Sequence, residues 1–193
     1  MNIPLSRPLV LASKSPRRRQ LLTEAGFEFI VEARPTDEQF PAEMPPYEVP
    51  AYLARHKAEQ FSHDINDQLI LCADTIVVVG NKILNKPAND AEASQMLQSL
   101  SGKTHEVITG ICLMSKEQII TKTDIAKVMF RQLTTNEIDF YIENQKPFDK
   151  AGAYGIQEWI GMIGIERIEG SYYTIMGLPT HQVYQLLSPY FSI

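Results

Sequence analysis

Asp74 and Thr75 interrupt an otherwise apolar run, Ile70-Leu71-Cys72-Ala73 before them and Ile76-Val77-Val78-Val79 after. A carboxylate in such surroundings pairs with a metal or a cation, or takes up a proton; a strand end or bulge that exposes it is the plainer alternative. A second segment, Ser13-Lys14-Ser15-Pro16-Arg17-Arg18-Arg19, has the chemistry of an anion site. Ser15 can cap a helix, Pro16 suits its first position, and three arginines at the positive end of a helix are unfavourable unless an anion joins them. Its structural alternative is a capped helix with solvated arginines. Asp37 and Glu38 offer further oxygens for a divalent cation, although acidic loop residues are most often solvated.

Other segments carry weaker signals. Lys57, after Ala54-Arg55-His56, and Lys86, before Pro87, each read alone as surface lysines. The run Asp149 to Gln157 (DKAGAYGIQ) has small residues that allow a ligand, or another backbone, to approach closely. Gly170-Ser171-Tyr172-Tyr173 and Gly177-Leu178-Pro179 read as a turn and a helix start, better explained by packing. The histidines at 56, 63, 105 and 181 share no metal spacing, and neither a P-loop nor a nucleophile elbow is present.

The elements that must hold these residues follow from the apolar pattern. Pro8 to Ala12 predicts a strand, Arg17 to Ala25 a helix stopped by Gly26, and Phe27 to Glu32 a second strand. Pro35, Pro41, Pro45 and Pro46 make the next segment a surface loop. Tyr47 to His63 reads as an amphipathic helix with Pro50 in its first turn, and Leu69 to Val79 as a long strand. Asn81 and Lys82 form a turn into Ile83 and Leu84. Capping boxes at Asn89/Glu92 and Thr134/Glu137 open helices running to Leu100 and about Asn144. Between them, His105 to Met114 and Gln118 to Phe130 predict two long strands, and Leu178 to Leu187 predicts a last helix. The mixture points to an α/β fold with a mixed sheet.

Composition removes several classes. The 193 residues are 44% hydrophobic and 21% charged, too apolar for a disordered chain and of a length for one domain, with room for two lobes. A net charge of -5 provides no basic field for nucleic acid, so an anionic ligand needs a local positive site. Cys72 and Cys112 lie in apolar stretches without metal-ligand spacing, which fits a reducing compartment. No run is long enough for a signal core or a membrane span, so a cytoplasmic protein is expected.

Taken together, the segments resemble the Maf family of nucleoside triphosphate pyrophosphatases from about Leu9 to Leu187. The resemblance is carried by Leu11-Ala12-Ser13-Lys14-Ser15-Pro16-Arg17-Arg18, Asp37-Glu38, Ala54-Arg55-His56-Lys57-Ala58, Ala73-Asp74-Thr75, Lys86-Pro87, Ser101-Gly102-Lys103-Thr104-His105, Asp149 to Gln157 and Gly170 to Pro179. It implies one domain over 1–193, an elongated mixed sheet with flanking helices, and two lobes around a deep cleft, as in inosine triphosphate pyrophosphatases. It also implies cleavage of a nucleoside triphosphate between the α- and β-phosphates with Mg²⁺ or Mn²⁺, and a homodimer as the expected assembly.

Under this resemblance Asp74 matches the family's proton acceptor, and Glu38 and Asp74 would hold the cation. Ser13, Arg17, Arg18, Lys57 and Lys86 would surround the triphosphate, while Thr75 and Gln157 would hydrogen-bond a pyrimidine. Arg17, Thr75 and Gln157 match the branch that prefers dTTP and UTP over 7-methyl-GTP; modified pyrimidine triphosphates share the same edge. Glu158 and Trp159, where a small residue or glycine is usual, and Thr174 before Met176-Gly177 depart from the pattern. A non-enzymatic alternative is a nucleotide-binding regulator of cell division that uses the same residues to bind without turnover.

Overall fold

The protein is described here by a computed structural model covering residues 2–192. Its seven strands are β1 (Leu9–Leu11), β2 (Ile30–Val31), β3 (Leu69–Val79), β4 (Lys82–Leu84), β5 (Thr104–Met114), β6 (Ile119–Phe130) and β7 (Ile165–Glu169). The helices are α1 (Pro16–Glu24), α2 (Val49–Glu59), α3 (Asp90–Leu100), α4 (Thr135–Gln145), α5 (Trp159–Gly164), α6 (Tyr172–Ile175) and α7 (Thr180–Leu187). All seven strands join one mixed sheet in the order β2-β1-β3-β5-β6-β7, with β4 paired to β3. β1 runs parallel to β2 and to β3, whereas β4 is antiparallel to β3 and β7 to β6. This is the mixed α/β sheet expected from the sequence.

The residues divide into two compact units, and the division falls inside β3, β5 and β6. The first unit holds the chain up to Asp74, Thr109–Asp124 and the chain from Gly177 onward. Its core joins Val10, Ile70, Cys72, Cys112 and Met114 of the sheet to Ala54, Ala58 and Phe61. Those last three are spaced four and three residues apart and so form one stripe along α2 and the turn that follows it. α2 lies very close to β5 at Gly110, where an added Cβ would stand 2.1 Å from the backbone nitrogen of Ala51. Only glycine fits a backbone contact that short.

Burial raises both thiols in this core, that of Cys112 to about 12 and that of Cys72 further, first by desolvation and then by the other thiol in the case of Cys72.

The second unit comprises Thr75–Ile108 and Ile125–Met176. In it α3 packs on α4, and Tyr141 and Phe130 are among the largest fully buried side chains. His105 is 2% exposed, stacks on Phe130 with ring centroids 5.5 Å apart, and pairs its Nε2 with the Tyr154 hydroxyl at 2.8 Å. Desolvation brings the His105 pKa down to about 4, so the imidazole is neutral at pH 7.

Local sequence signals explain most boundaries. Ser15 and Asn89 accept the backbone N–H groups of Arg18 and Glu92, and Thr134 with Glu137 forms a reciprocal capping box. At α3 the box is only half made, because the Glu92 carboxylate accepts from Ala88 N–H (2.9 Å). β2 is two residues long where six were expected, since Phe27 to Phe29 lie outside the ladder and only Ile30 and Val31 pair with β1. α2 ends at Glu59 rather than His63, where Phe61 and Ser62 N–H close tighter turns onto Ala58 and Glu59. The segment 149–177, for which the sequence predicts a small-residue run, a turn and a helix start but no strand, contains α5, β7 and α6.

Candidate active site

Asp74 stands on β3 on the same face as Ile70 and Cys72, because side chains two residues apart along a strand share a face. That face meets the Ala54/Ala58 stripe of α2. Lys57, three residues beyond Ala54, continues the stripe and brings its ammonium to Asp74. The Lys57 Nζ donates to Asp74 Oδ1 at 2.5 Å and lies 2.8 Å from Glu38 Oε1. Asp74 and Lys57 side chains keep 13% and 17% exposure and Glu38 keeps 53%, so the trio passes from the core edge to water. The apolar run around Asp74 thus obtains its charge partner from a helix, which is one of the outcomes expected for such a carboxylate.

The proline-punctuated loop is fastened so that Glu38 reaches this point. Arg34 pairs with Glu32 (2.7 Å) and Asp64 (2.6 Å), donates to the Gln60 carbonyl (2.9 Å), and lies 3.9 Å over the Phe61 ring. These contacts clamp the start of the loop to the end of α2. Asp37 turns back and accepts the Gln39 N–H at 3.1 Å, leaving Glu38 as the carboxylate that meets Lys57.

Ser13 and Arg18 form a second cluster beside β3. Ser13 is buried, and its hydroxyl accepts the Ser15 N–H at 3.2 Å and an Arg18 guanidinium N–H at 3.4 Å. Arg18 also donates to the carbonyls of Ala73 (2.7 Å) and Gly177 (2.8 Å). Burial pushes its pKa below the ordinary value, while the nearby Asp74 charge works in the opposite direction. Arg18 therefore ties the start of α1 to the residue before Asp74 and to the segment before α7. Arg17 sits half-buried in the first turn of α1.

The remaining sequence-derived candidates belong to the second unit. Thr75 is half-buried on β3, one residue from Asp74 and hence on its other face. Lys86 is exposed beyond the end of β4. Gln157 is exposed in the turn before α5, which the Glu158 N–H closes onto the Gly155 carbonyl at 3.1 Å.

Three or more His, Cys, Asp or Glu side chains suited to a metal do not cluster anywhere among the described residues. Glu38 and Asp74 nevertheless fit a magnesium-type ion, because both carboxylates already converge on one cationic point. Such an ion is held by one or two carboxylates, the rest of its shell being water and substrate phosphate.

Sequence reasoning did not identify the Lys150, Glu158 and Tyr141 group, whose buried contacts link residues far apart in the chain. No helix among the described residues is long and apolar enough to cross a membrane.

A family model described as Maf-like protein matches residues 8–190. The chain belongs to the Maf-like family. Among its relatives is a protein of Cytophaga hutchinsonii named dTTP/UTP pyrophosphatase, 46% identical over 184 residues, 95% of this chain and 84% of that one. Proteins of the same name from Porphyromonas gingivalis strain ATCC 33277 and Bacteroides fragilis are 45% and 44% identical, each covering 94% of the relative and 94% and 93% of this chain. The solved structure of a HAM1 protein from Coxiella burnetii overlaps 64% of this chain and 73% of its own, at 18% identity and a TM-score of 0.38.

Proposed function

We propose that this Maf-like protein hydrolyses dTTP and UTP to the nucleoside monophosphate and pyrophosphate. The observation that carries the reading is the Lys57 ammonium held between Glu38 and Asp74 at the edge of an apolar strand. Its support is the 44–46% identity to relatives named dTTP/UTP pyrophosphatase.

In the proposed reaction a water oxygen attacks the α-phosphorus in line while Asp74 accepts its proton. A new P–O bond forms, the bond from the α-phosphorus to the bridging oxygen breaks, and pyrophosphate leaves with the electron pair. Lys57 orients the Asp74 carboxylate and offsets negative charge growing on the phosphoryl oxygens. Arg17, Arg18 and Lys86 are assigned to the phosphates, and Ser13 to holding Arg18 and the turn into α1. Thr75 and Gln157 are assigned to the pyrimidine edge, where a base lacking matching donors and acceptors leaves their polar groups unpaired. A Mg²⁺ or Mn²⁺ ion held by Glu38 and Asp74 would neutralise phosphate charge and lower the pKa of a bound water. The substrate is a free nucleotide rather than nucleic acid or lipid, and we place the reaction in the cytoplasm.

The test is pyrophosphate release from dTTP, UTP, CTP, dATP, GTP and 7-methyl-GTP with Mg²⁺ or Mn²⁺, before and after EDTA. Metal-dependent conversion of dTTP and UTP to monophosphates is the expected result. Preference for 7-methyl-GTP would overturn the roles of Arg17, Thr75 and Gln157. Binding without release would make the protein a nucleotide-binding regulator.

A further inference from the structure

The segment 149–158 is fastened at both ends by side chains that the proposed reaction does not use. Lys150, with a side chain only 9% exposed, places its ammonium 3.0 Å from Glu158 Oε1 and 2.7 Å from Asp149 Oδ1. The other Glu158 oxygen accepts the Tyr141 hydroxyl, which itself accepts the Gly155 N–H at 3.2 Å. One glutamate therefore joins residue 150, the Gly155 turn and α4. The missing side chain of Gly155 makes room for it, since a Cβ there would lie 2.7 Å from Glu158 Cδ.

What this network holds is the turn Gly155 to Glu158, with Gln157 as its exposed third residue. The same segment is fixed against the sheet at Gly152. Its N–H donates to the carbonyl of Asn85, the residue before Lys86, at 3.2 Å. A Cβ at Gly152 would touch the Val77 side chain at 3.0 Å. Val77 lies two residues from Thr75 and on the same face of β3. The fastened segment therefore meets, at Gly152, the strand face that carries Thr75, and it ends in the turn that carries Gln157.

We infer that Glu158 is a positioning residue for pyrimidine selection, fixing through its bonds to Lys150 and Tyr141 the backbone turn from which Gln157 projects. The inference rests on the proposed base-binding role of Gln157. On a fixed turn, Gln157 meets a pyrimidine edge without losing backbone freedom on binding; on a released one, the backbone must be ordered by the ligand itself. Glu158 itself touches neither base nor phosphate in this scheme, and its effect reaches the substrate only through residue 157.

A double-mutant cycle on Gln157→Ala and Glu158→Ala tests this, read both as the Kd of the non-hydrolysable α,β-imido analogue of dTTP and as steady-state kinetics on dTTP and CTP. Glu158→Ala should raise Kd and KM for the thymidine nucleotide about tenfold, with kcat within about twofold. Discrimination against CTP should fall in parallel. The double variant should bind no worse than Gln157→Ala, because the glutamate has nothing left to position. Glu158→Gln, which keeps the shape and the bond to Tyr141, should recover most of the affinity, and Tyr141→Phe, which removes that bond while leaving the glutamate in place, takes the place of Glu158→Ala in the cycle if the alanine variant does not fold. Additive effects in the cycle, or an unchanged Kd in folded Glu158→Ala, would overturn the inference while leaving the hydrolysis reading intact. Binding without turnover in the unmodified protein would overturn hydrolysis and leave the cycle to be read from Kd alone. Absence of both binding and turnover would overturn the two together.

Discussion

Lys57 offers one positive charge to two carboxylates, and the partners differ in how much water they keep. Asp74 is the more enclosed of the two, and Glu38 the more exposed. Asp74→Asn preserves the shape and still offers an oxygen to Lys57. It should lower pyrophosphate release about a thousandfold, as expected for loss of a general base, with a melting temperature close to that of the unmodified protein. Hydrolysis retained in that variant would remove Asp74 as the base. Lys57→Met has a different signature, because it strands a carboxylate near the core. Urea denaturation should show a loss of about 2 kcal/mol at pH 7, well beyond the effect of Asp74→Asn.

His105 adds a pH-dependent contribution. Its pKa is about 4 in the folded chain against 6.5 ordinarily, so between those values the unfolded chain binds the extra proton. The stabilisation is complete above about pH 6.5 and is lost as pH falls toward 4. Between pH 7 and 4.5 it should cost the unmodified protein about 2 kcal/mol more than it costs His105→Gln, which keeps a partner for the Tyr154 hydroxyl. Equal losses in both proteins, followed by urea denaturation at the two pH values, would exclude His105 as the source.

At the scale of elements, α2 matters because it carries Lys57 and because Gly110 lets it lie against β5. Gly110→Ala forces a methyl group into the backbone of Pro50 and Ala51, where no side chain can swing away. We expect a loss of about 2–3 kcal/mol and a fall in activity from displacement of Lys57, measured by thermal melting and pyrophosphate release. Unchanged melting would show that α2 moves freely on β5.

Which elements could be read beforehand follows a clear physical divide. β3, β5 and β6 are long apolar or alternating runs, and Ser15, Asn89 and Thr134 announce their helices by side-chain caps. β7 escaped notice because its five residues Ile-Glu-Arg-Ile-Glu are largely exposed and its place is set by pairing with distant β6. The candidate site shows the same divide. Asp74 stood out as a charge among β-branched residues, whereas Lys57 and Lys86 looked like any surface lysine. Only contact across 17 residues distinguishes Lys57, and Lys86 is indeed exposed. Glu158 was visible merely as a departure from a family pattern, because Lys150 and Tyr141 become its partners only after α4 and the glycine-containing segment fold together.

Across the whole molecule, the net charge of -5 makes long-range attraction of a nucleotide weak. The two units have cores of their own, yet β3, β5 and β6 each contribute residues to both. Loss of either core therefore breaks strands that the other core needs, and a single cooperative transition is expected in calorimetry. Two resolved heat-absorption peaks would show independent units. Cys72 and Cys112 provide a clock for that transition. Their thiols lie among Val10, Ile70 and Ala58, and burial keeps them protonated, so a thiol-modifying reagent at neutral pH has no thiolate to attack in the native protein. Labelling must wait for the first core to open, and its rate at saturating reagent equals the rate at which the folded molecule gives way. The pair thus makes the protein's lifetime readable by mass, without any introduced probe.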